Sequence, residues 1–286
     1  MPTPENLPTT IYTPESSLAN PAKMIKEMFR DLLAARELAW RLAVRDISAQ
    51  YRQTFLGFLW ALIIPLANTL VWVFLSSSGM VSIATTDLPY PVYVFVGTML
   101  WGILMDALNA PLQGATAAKG MLAKINFPRE AILVSGIYQT LFNSGIKLAL
   151  VLAALLIMGY TPGWYAPLIP LGVISLILVG TALGVLITPV GLLYGDVGRG
   201  IPLIAQFLMY LTPVVFPMPK EGWAYTLISL NPLTPIIVTA RDWVTGQPAE
   251  LLNSFIIVNL FAVGLLLVVW GVYRLAMPIL IERMSA

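Results

Sequence analysis

The residues of this chain best suited to chemistry are amides, hydroxyls and a few charges set into long apolar runs. Ser135, Gln139, Asn143 and Lys147 recur every four residues, and Asp106, Asn109 and Gln113 every three or four. On helices, each set makes one polar stripe. Such a stripe can offer a hydroxyl-rich solute a ladder of donors and acceptors, or it can hydrogen-bond one helix to the next inside a packed bundle. Both uses fit the spacing. Flat aromatic faces are the second resource. Most of them, including Tyr90, Tyr93, Trp164, Tyr165 and Trp223, suit an interfacial belt, while Trp101 and Trp72 at mid-depth could let sugar rings slide without a fixed register. Covalent and acid–base chemistry is poorly supplied. The sequence has no histidine and no cysteine, hence no usual general base, thiolate or disulfide, and no metal site is expected. Asp87, Asp196, Asp242 and Glu250 are scattered over different connections rather than paired.

The elements that must position these residues are membrane helices. Apolar residues make up 58% of the chain and charged residues 10%, with mean hydropathy +0.82, which places it among polytopic membrane proteins. A net charge of +2 is too small to suggest nucleic acid. The expected fold is all-α, with six transmembrane helices near 57–79, 91–113, 131–158, 168–190, 201–217 and 251–275. Asn231, Pro232 and Pro235 interrupt the apolar stretch that would make a seventh, so 219–246 is expected to form a re-entrant helical hairpin in the outer leaflet, between spans five and six. Lys and Arg collect before the first span, in the second connection (Lys119, Lys124, Arg129) and in the tail (Arg274, Arg283), which puts both termini in the cytoplasm. Asp106 and Lys147 each lie about 24 Å from the start of their own antiparallel spans, an argument against an ion pair and for Lys147 snorkelling outward.

The junction at 45–65, RDISAQYRQTFLGFLWALIIP, joins an amphipathic helix to the first span through Gly57. Trp40, Val44, Ile47, Tyr51 and Phe55 form its apolar stripe, and Arg41, Arg45 and Arg52 lie in the adjoining row, a pattern for a helix lying on a membrane surface. Residues 1–21, proline-rich and without an apolar core, read as an irregular cytoplasmic lead-in rather than a secretory signal. Residues 22–56 form the interfacial helix and 57–286 the transmembrane domain. The connection 114–130 reads as a short basic helix, either anchoring span ends or docking a soluble partner.

At these residues the chain resembles the membrane-spanning permeases of type-2 ABC exporters for lipid-linked polysaccharides, over nearly its whole length after residue 25. Arg45, Asp46, Tyr51, Arg52, Leu56, Gly57, Trp60 and Pro65 match the family's N-terminal pattern, and Lys124, Phe127, Pro128, Arg129 and Glu130 its segment leading into span three. Tyr194, Gly195 and Asp196 resemble its Tyr-Arg-Asp element, with glycine in place of arginine; Thr212, Pro213 and Val214, then Asn231, Pro232 and Arg241, resemble its outer gate. The resemblance implies a homodimer with a channel between its subunits, paired with two copies of a separate ATPase that carries ATP and Mg. This sequence has no phosphate-binding Gly-rich loop of its own, so no cofactor and no enzymatic activity are expected in it. Arg45, Tyr51, Arg52, Lys119, Lys124, Phe127, Arg129 and Glu130 would couple to the ATPase; Pro213, Asn231, Pro232 and Arg241 would form the outer gate. The substrate it implies is an undecaprenyl-linked polysaccharide crossing a bacterial inner membrane, O-antigen first, with capsular polysaccharide and teichoic acid as neighbouring readings. An ion-coupled secondary transporter and a membrane glycan transferase are the readings from other classes. The first would show broken helices in both halves, and the second would need paired carboxylates.

Overall fold

The computed structural model describes residues 21–52, 55–80, 86, 88–122 and 128–285, and the regular structure among these is helical. The lead-in, Lys124 and Phe127 lie outside the described residues. Ten α-helices follow in order: α1 Pro21–Arg52, α2 Trp60–Ser77, α3 Tyr90–Ala117, α4 Lys119–Leu122, α5 Glu130–Ile157, α6 Ile169–Leu193, α7 Gly195–Tyr210, α8 Gly222–Leu230, α9 Leu233–Thr245 and α10 Leu252–Ser285.

The count of membrane spans corrects the sequence expectation. Among the described residues four helices, not six, are long and apolar enough to cross a bilayer: Tyr90–Ala117, Glu130–Ile157, Gly163–Leu193 and Leu252–Leu280. The expected first span yields only a shorter apolar helix, Leu62–Ser77, about 24 Å long at about 1.5 Å per residue. The expected fifth yields the 16 residues of α7, whose first turns carry Asp196 and Arg199 before the chain leaves the helix at Leu211. Hydropathy read in a sliding window merges such helices with apolar residues beyond their ends, which is why both looked long enough. The interruption at Asn231–Pro232 does divide its segment into two helices, α8 of 9 and α9 of 13 residues, each too short to cross.

The core is built around α3, which packs against α5, α6 and α9. Gly180 and Gly184, one turn apart on α6, let that helix approach α3 backbone to backbone. A Cβ at Gly180 would lie 2.6 Å from both Ala107 Cβ and the Leu104 carbonyl oxygen, and one at Gly184 would collide with the Leu108 carbonyl. In lipid, where apolar side chains gain little by leaving their surroundings, close backbone packing of this kind is a principal source of helix association.

Helix α1 has two working faces. Met28, Ala35, Ala39 and Leu42 are buried; the last three cluster with Ala131 of α5, and Phe29 meets Trp270 of α10 edge-on at 5.5 Å. The stripe read from the sequence lies elsewhere: Trp40 and Val44 remain 59% and 43% exposed, which leaves them available to a headgroup layer. The helix is therefore bound to the bundle by alanines together with Met28 and Leu42, while Trp40, edge-on to Tyr138 of α5, and Val44 keep much of their surface outward. Its alanines carry much of the packing, a signal the stripe of large residues hides.

Candidate functional site

Three polar assemblies emerge from this fold. The first is a cleft of about 430 Å³ lined by α2, α3, α5 and α7 together with Gln50 of α1. Trp101 and Asp106 enter it from α3, Asn143 and Lys147 from α5 and Asn68 from α2. Lys147 Nζ donates to Asp106 Oδ2 at 2.8 Å, overturning the expectation of a snorkelling lysine. Depth has to be measured from the end the two helices share. Asp106 lies 11 residues before the end of α3 and Lys147 lies 17 after the start of α5, a mismatch of about 9 Å along the axes at about 1.5 Å per residue. Helical side chains lean toward their own N-terminus, so on antiparallel helices these two lean toward each other, and the four-carbon lysine stem closes the gap. Gly102 supplies the room, since a Cβ there would stand 3.0 Å from Lys147 Nζ.

The polar stripes divide between roles. On α5, Ser135 and Gln139 turn toward α1: Gln139 Nε2 donates to Asp46 Oδ2 at 3.1 Å and to Ser135 Oγ at 3.3 Å, and Ser135 is buried. Asn143 and Lys147, two and three turns on, face the cleft. On α3, Asp106 faces the cleft, while Asn109 and Gln113 line a separate recess of about 560 Å³ beside Lys119 and the start of α7. Asn109 also donates to its own helix at Met105 O, 2.7 Å. Trp101 is buried at the cleft; Trp72 lies apart, edge-on to Tyr210 of α7 at 6.1 Å. Gln50 and Asn68 were missed by sequence reasoning, because each is a single amide outside any stripe.

The second assembly is a strap, residues 211–216, whose irregular backbone leaves carbonyl groups without helical partners. Side chains from three directions supply them. Tyr90 Oη donates to Val215 O at 3.0 Å, and Tyr93 Oη to Phe216 O at 3.0 Å and Pro213 O at 3.3 Å. Arg241 Nη2 donates to Pro213 O and Val214 O at 2.8 and 2.9 Å, with its guanidinium stacked 3.8 Å above the Tyr93 ring. Asn231 Nδ2 reaches Leu211 O and Thr212 Oγ1, both at 2.9 Å, while its Oδ1 accepts the Leu233 amide at the start of α9. Burial pushes the Arg241 pKa down, opposed by the neighbouring Tyr93 and Asp242. Gly97 of α3 is required at this place because a Cβ there would collide with the Val214 carbonyl. The structure thus gathers Pro213, Asn231, Pro232 and Arg241 into one unit, joined by Tyr90 and Tyr93, which had read only as aromatic residues.

The third is a charged hub at the end of the bundle where both ends of the described chain meet. Arg274 of α10 donates through Nη2 to Asp31 of α1 at 2.7 Å and through Nη1 to Glu130 of α5 at 3.0 Å. Glu130 is buried, so its carboxylate is committed inside the protein. Of the other expected coupling residues, Arg45 binds neighbouring Asp46 at 2.7 Å, Arg52 and Lys119 are exposed, and Arg129 precedes the first turn of α5. Tyr51 lies in the last turn of α1. Among the described residues no group of three or more acidic residues is placed to hold a metal ion.

Over 216 residues, 74% of this chain and 82% of the relative, the sequence is 25% identical to the O-antigen export system permease protein RfbA of Myxococcus xanthus. A permease of the same name from Klebsiella pneumoniae is 24% identical over 79% of this chain and 86% of its own length. The polysialic acid transport protein KpsM of Escherichia coli is 25% identical over 79% of this chain and 90% of its own length. The family model described as ABC-2 type transporter matches residues 37–244, a stretch that contains the cleft, the strap and the second half of α1, and the chain belongs to that family of membrane transport proteins.

Proposed function

We propose that this chain is the membrane permease of an ATP-driven exporter of lipid-linked polysaccharide, O-antigen being the nearest fit, working with a separate ATPase. The observation that carries this reading is the alignment of most of the chain with O-antigen export permeases inside an ABC-2 family match. The physics is consistent with it. A long hydroxyl-rich chain crossing hydrocarbon would leave many hydrogen-bonding groups unsatisfied at several kcal/mol each, and a polar, indole-lined passage removes that barrier. The match to a polysialic acid transport protein supports capsular polysaccharide as the second reading.

Within this function Trp101, Asp106, Asn143 and Lys147 line the substrate route at the cleft, and Asn109 and Gln113 line it at the recess. Residues 22–55 and 114–130 receive the ATPase of a two-plus-two assembly, in which closure of the nucleotide-bound ATPase pair moves α1 and α5 as rigid bodies. The strap and α8–α9 control the exit. Both termini face the cytoplasm of an inner-membrane protein, supported by the meeting of α1 and α10 beside the basic second connection. Depleting this chain in its host should accumulate undecaprenyl-linked glycan in the cytoplasmic leaflet and clear the glycan from the cell surface, read by lipid extraction and surface labelling. Unchanged surface glycan would refute the assignment.

A further inference from the structure

One relative is named for an acidic cargo, polysialic acid, while the name O-antigen specifies no charge, and the cleft bears on which kind this chain accepts. Its described lining contains two charged residues, Asp106 and Lys147, bound to each other at 2.8 Å. The lysine is 12% exposed and the carboxylate 32%, so the cation is the more enclosed partner and the acid the more accessible. Around them stand the amides of Gln50, Asn68 and Asn143 and the indoles of Trp60 and Trp101.

We propose that this cleft binds uncharged sugar units, and that the Asp106–Lys147 pair excludes acidic ones. The proposal rests on the polysaccharide-export reading and specifies its substrate. Each amide presents both donors and acceptors and so matches a hydroxyl in either role, and each indole offers a face for sugar C–H groups. An acidic unit would have to shed water to enter, and its carboxylate would need a cation in return. Lys147 is already neutralised. Drawing it away would leave the Asp106 carboxylate unpaired and facing another negative charge, so the acidic unit is opposed on both counts. A neutral unit demands no such exchange.

The test uses the full chain with its ATPase partner in lipid nanodiscs, titrated with a neutral mannose oligomer and a sialic acid oligomer of equal length. Binding is read by tryptophan fluorescence, with the double variant Trp60→Phe and Trp101→Phe assigning the signal to the cleft. The neutral oligomer should bind at least tenfold more tightly. Asp106→Asn, which frees the Lys147 charge, should raise affinity for the acidic oligomer about tenfold at low salt, with the gain lost at high salt. The double variant Asp106→Asn with Lys147→Gln has no charge left to bury and guards against a folding defect; it should gain nothing for the acidic oligomer at either salt concentration. Equal or tighter binding of the acidic oligomer by the unmodified protein would overturn the proposal, as would neutral binding whose signal the Trp60→Phe, Trp101→Phe double variant leaves intact. Export of glycan by a protein that binds neither oligomer would remove this site and leave the export function standing. Absence of export for any glycan would remove the parent reading, and this proposal with it.

Discussion

At the scale of single residues, Arg241 carries the most structural weight. Its guanidinium satisfies two buried carbonyls and stacks on Tyr93, so Arg241→Met would leave the Val214 carbonyl unpaired, at about 1–3 kcal/mol, and Pro213 O with only its longer bond from Tyr93. A marked fall in thermal unfolding temperature in detergent is expected. Arg241→Lys should not restore it, because an ammonium has no planar face to stack and no fork of donors. Gln139 and Asn143 should separate. Gln139→Leu breaks a bond between α5 and α1 and should lower abundance and export together, whereas Asn143→Leu should slow export more than it lowers abundance, compared by immunoblot and surface-glycan assay. Much of this scale was legible. Asn231 and Pro232 stood out in the sequence as breaking an apolar run, whereas Pro213 and Arg241 were singled out only through the family resemblance, and the hydrogen bonds of Asn231 and Arg241 bring them to the strap. What the sequence concealed was direction. A four-residue period places Ser135 and Lys147 on one face, yet the face meets α1 at one level and a cleft higher up. The Asp106–Lys147 pair was discounted because depth was reckoned from the wrong ends and without the lean of helical side chains.

At the scale of elements, Arg274 ties α1, α5 and α10 at one end of the bundle. Arg274→Gln would leave the buried Glu130 without its cation, an arrangement that costs about 3–5 kcal/mol when a buried pair is broken from one side. It should loosen α1, seen as faster amide exchange across residues 25–45. Reversing Lys119, Lys124 and Arg129 together should abolish ATPase-coupled export while leaving the thermal unfolding transition in place; export at the normal level would withdraw the docking role of that connection. Gly180→Val should drive α6 from α3 and reduce the folded yield, because its branched side chain would enter the space of Ala107 and the Leu104 carbonyl. Long apolar helices were the most legible elements, since twenty-odd apolar residues leave little choice. The two expected spans that fell short did so because apolar composition continues beyond the α-helix, past Leu211 after α7 and through the 3-10 turn Gly57–Leu59 before α2.

At the scale of the whole molecule, α2, α7 and α10 expose many large apolar side chains, surface that the proposed function gives to lipid or a second copy, as it gives the connection 114–130 to the ATPase. Mild-detergent purification should return this chain with an ATPase at equal stoichiometry and a mass corresponding to two of each; a stable, transporting chain without any ATPase would revive an ion-driven mechanism. The most direct measurement of the central claim is transport itself. The chain and its ATPase, reconstituted into sealed vesicles with the nucleotide sites outward, would be given undecaprenyl-linked glycan in the outer leaflet, and protection of that glycan from an added glycosidase would be followed over time. Protection that grows with ATP and Mg, and fails when the ATPase cannot hydrolyse, is the predicted result. Glycan that stays accessible under ATP turnover would contradict the account.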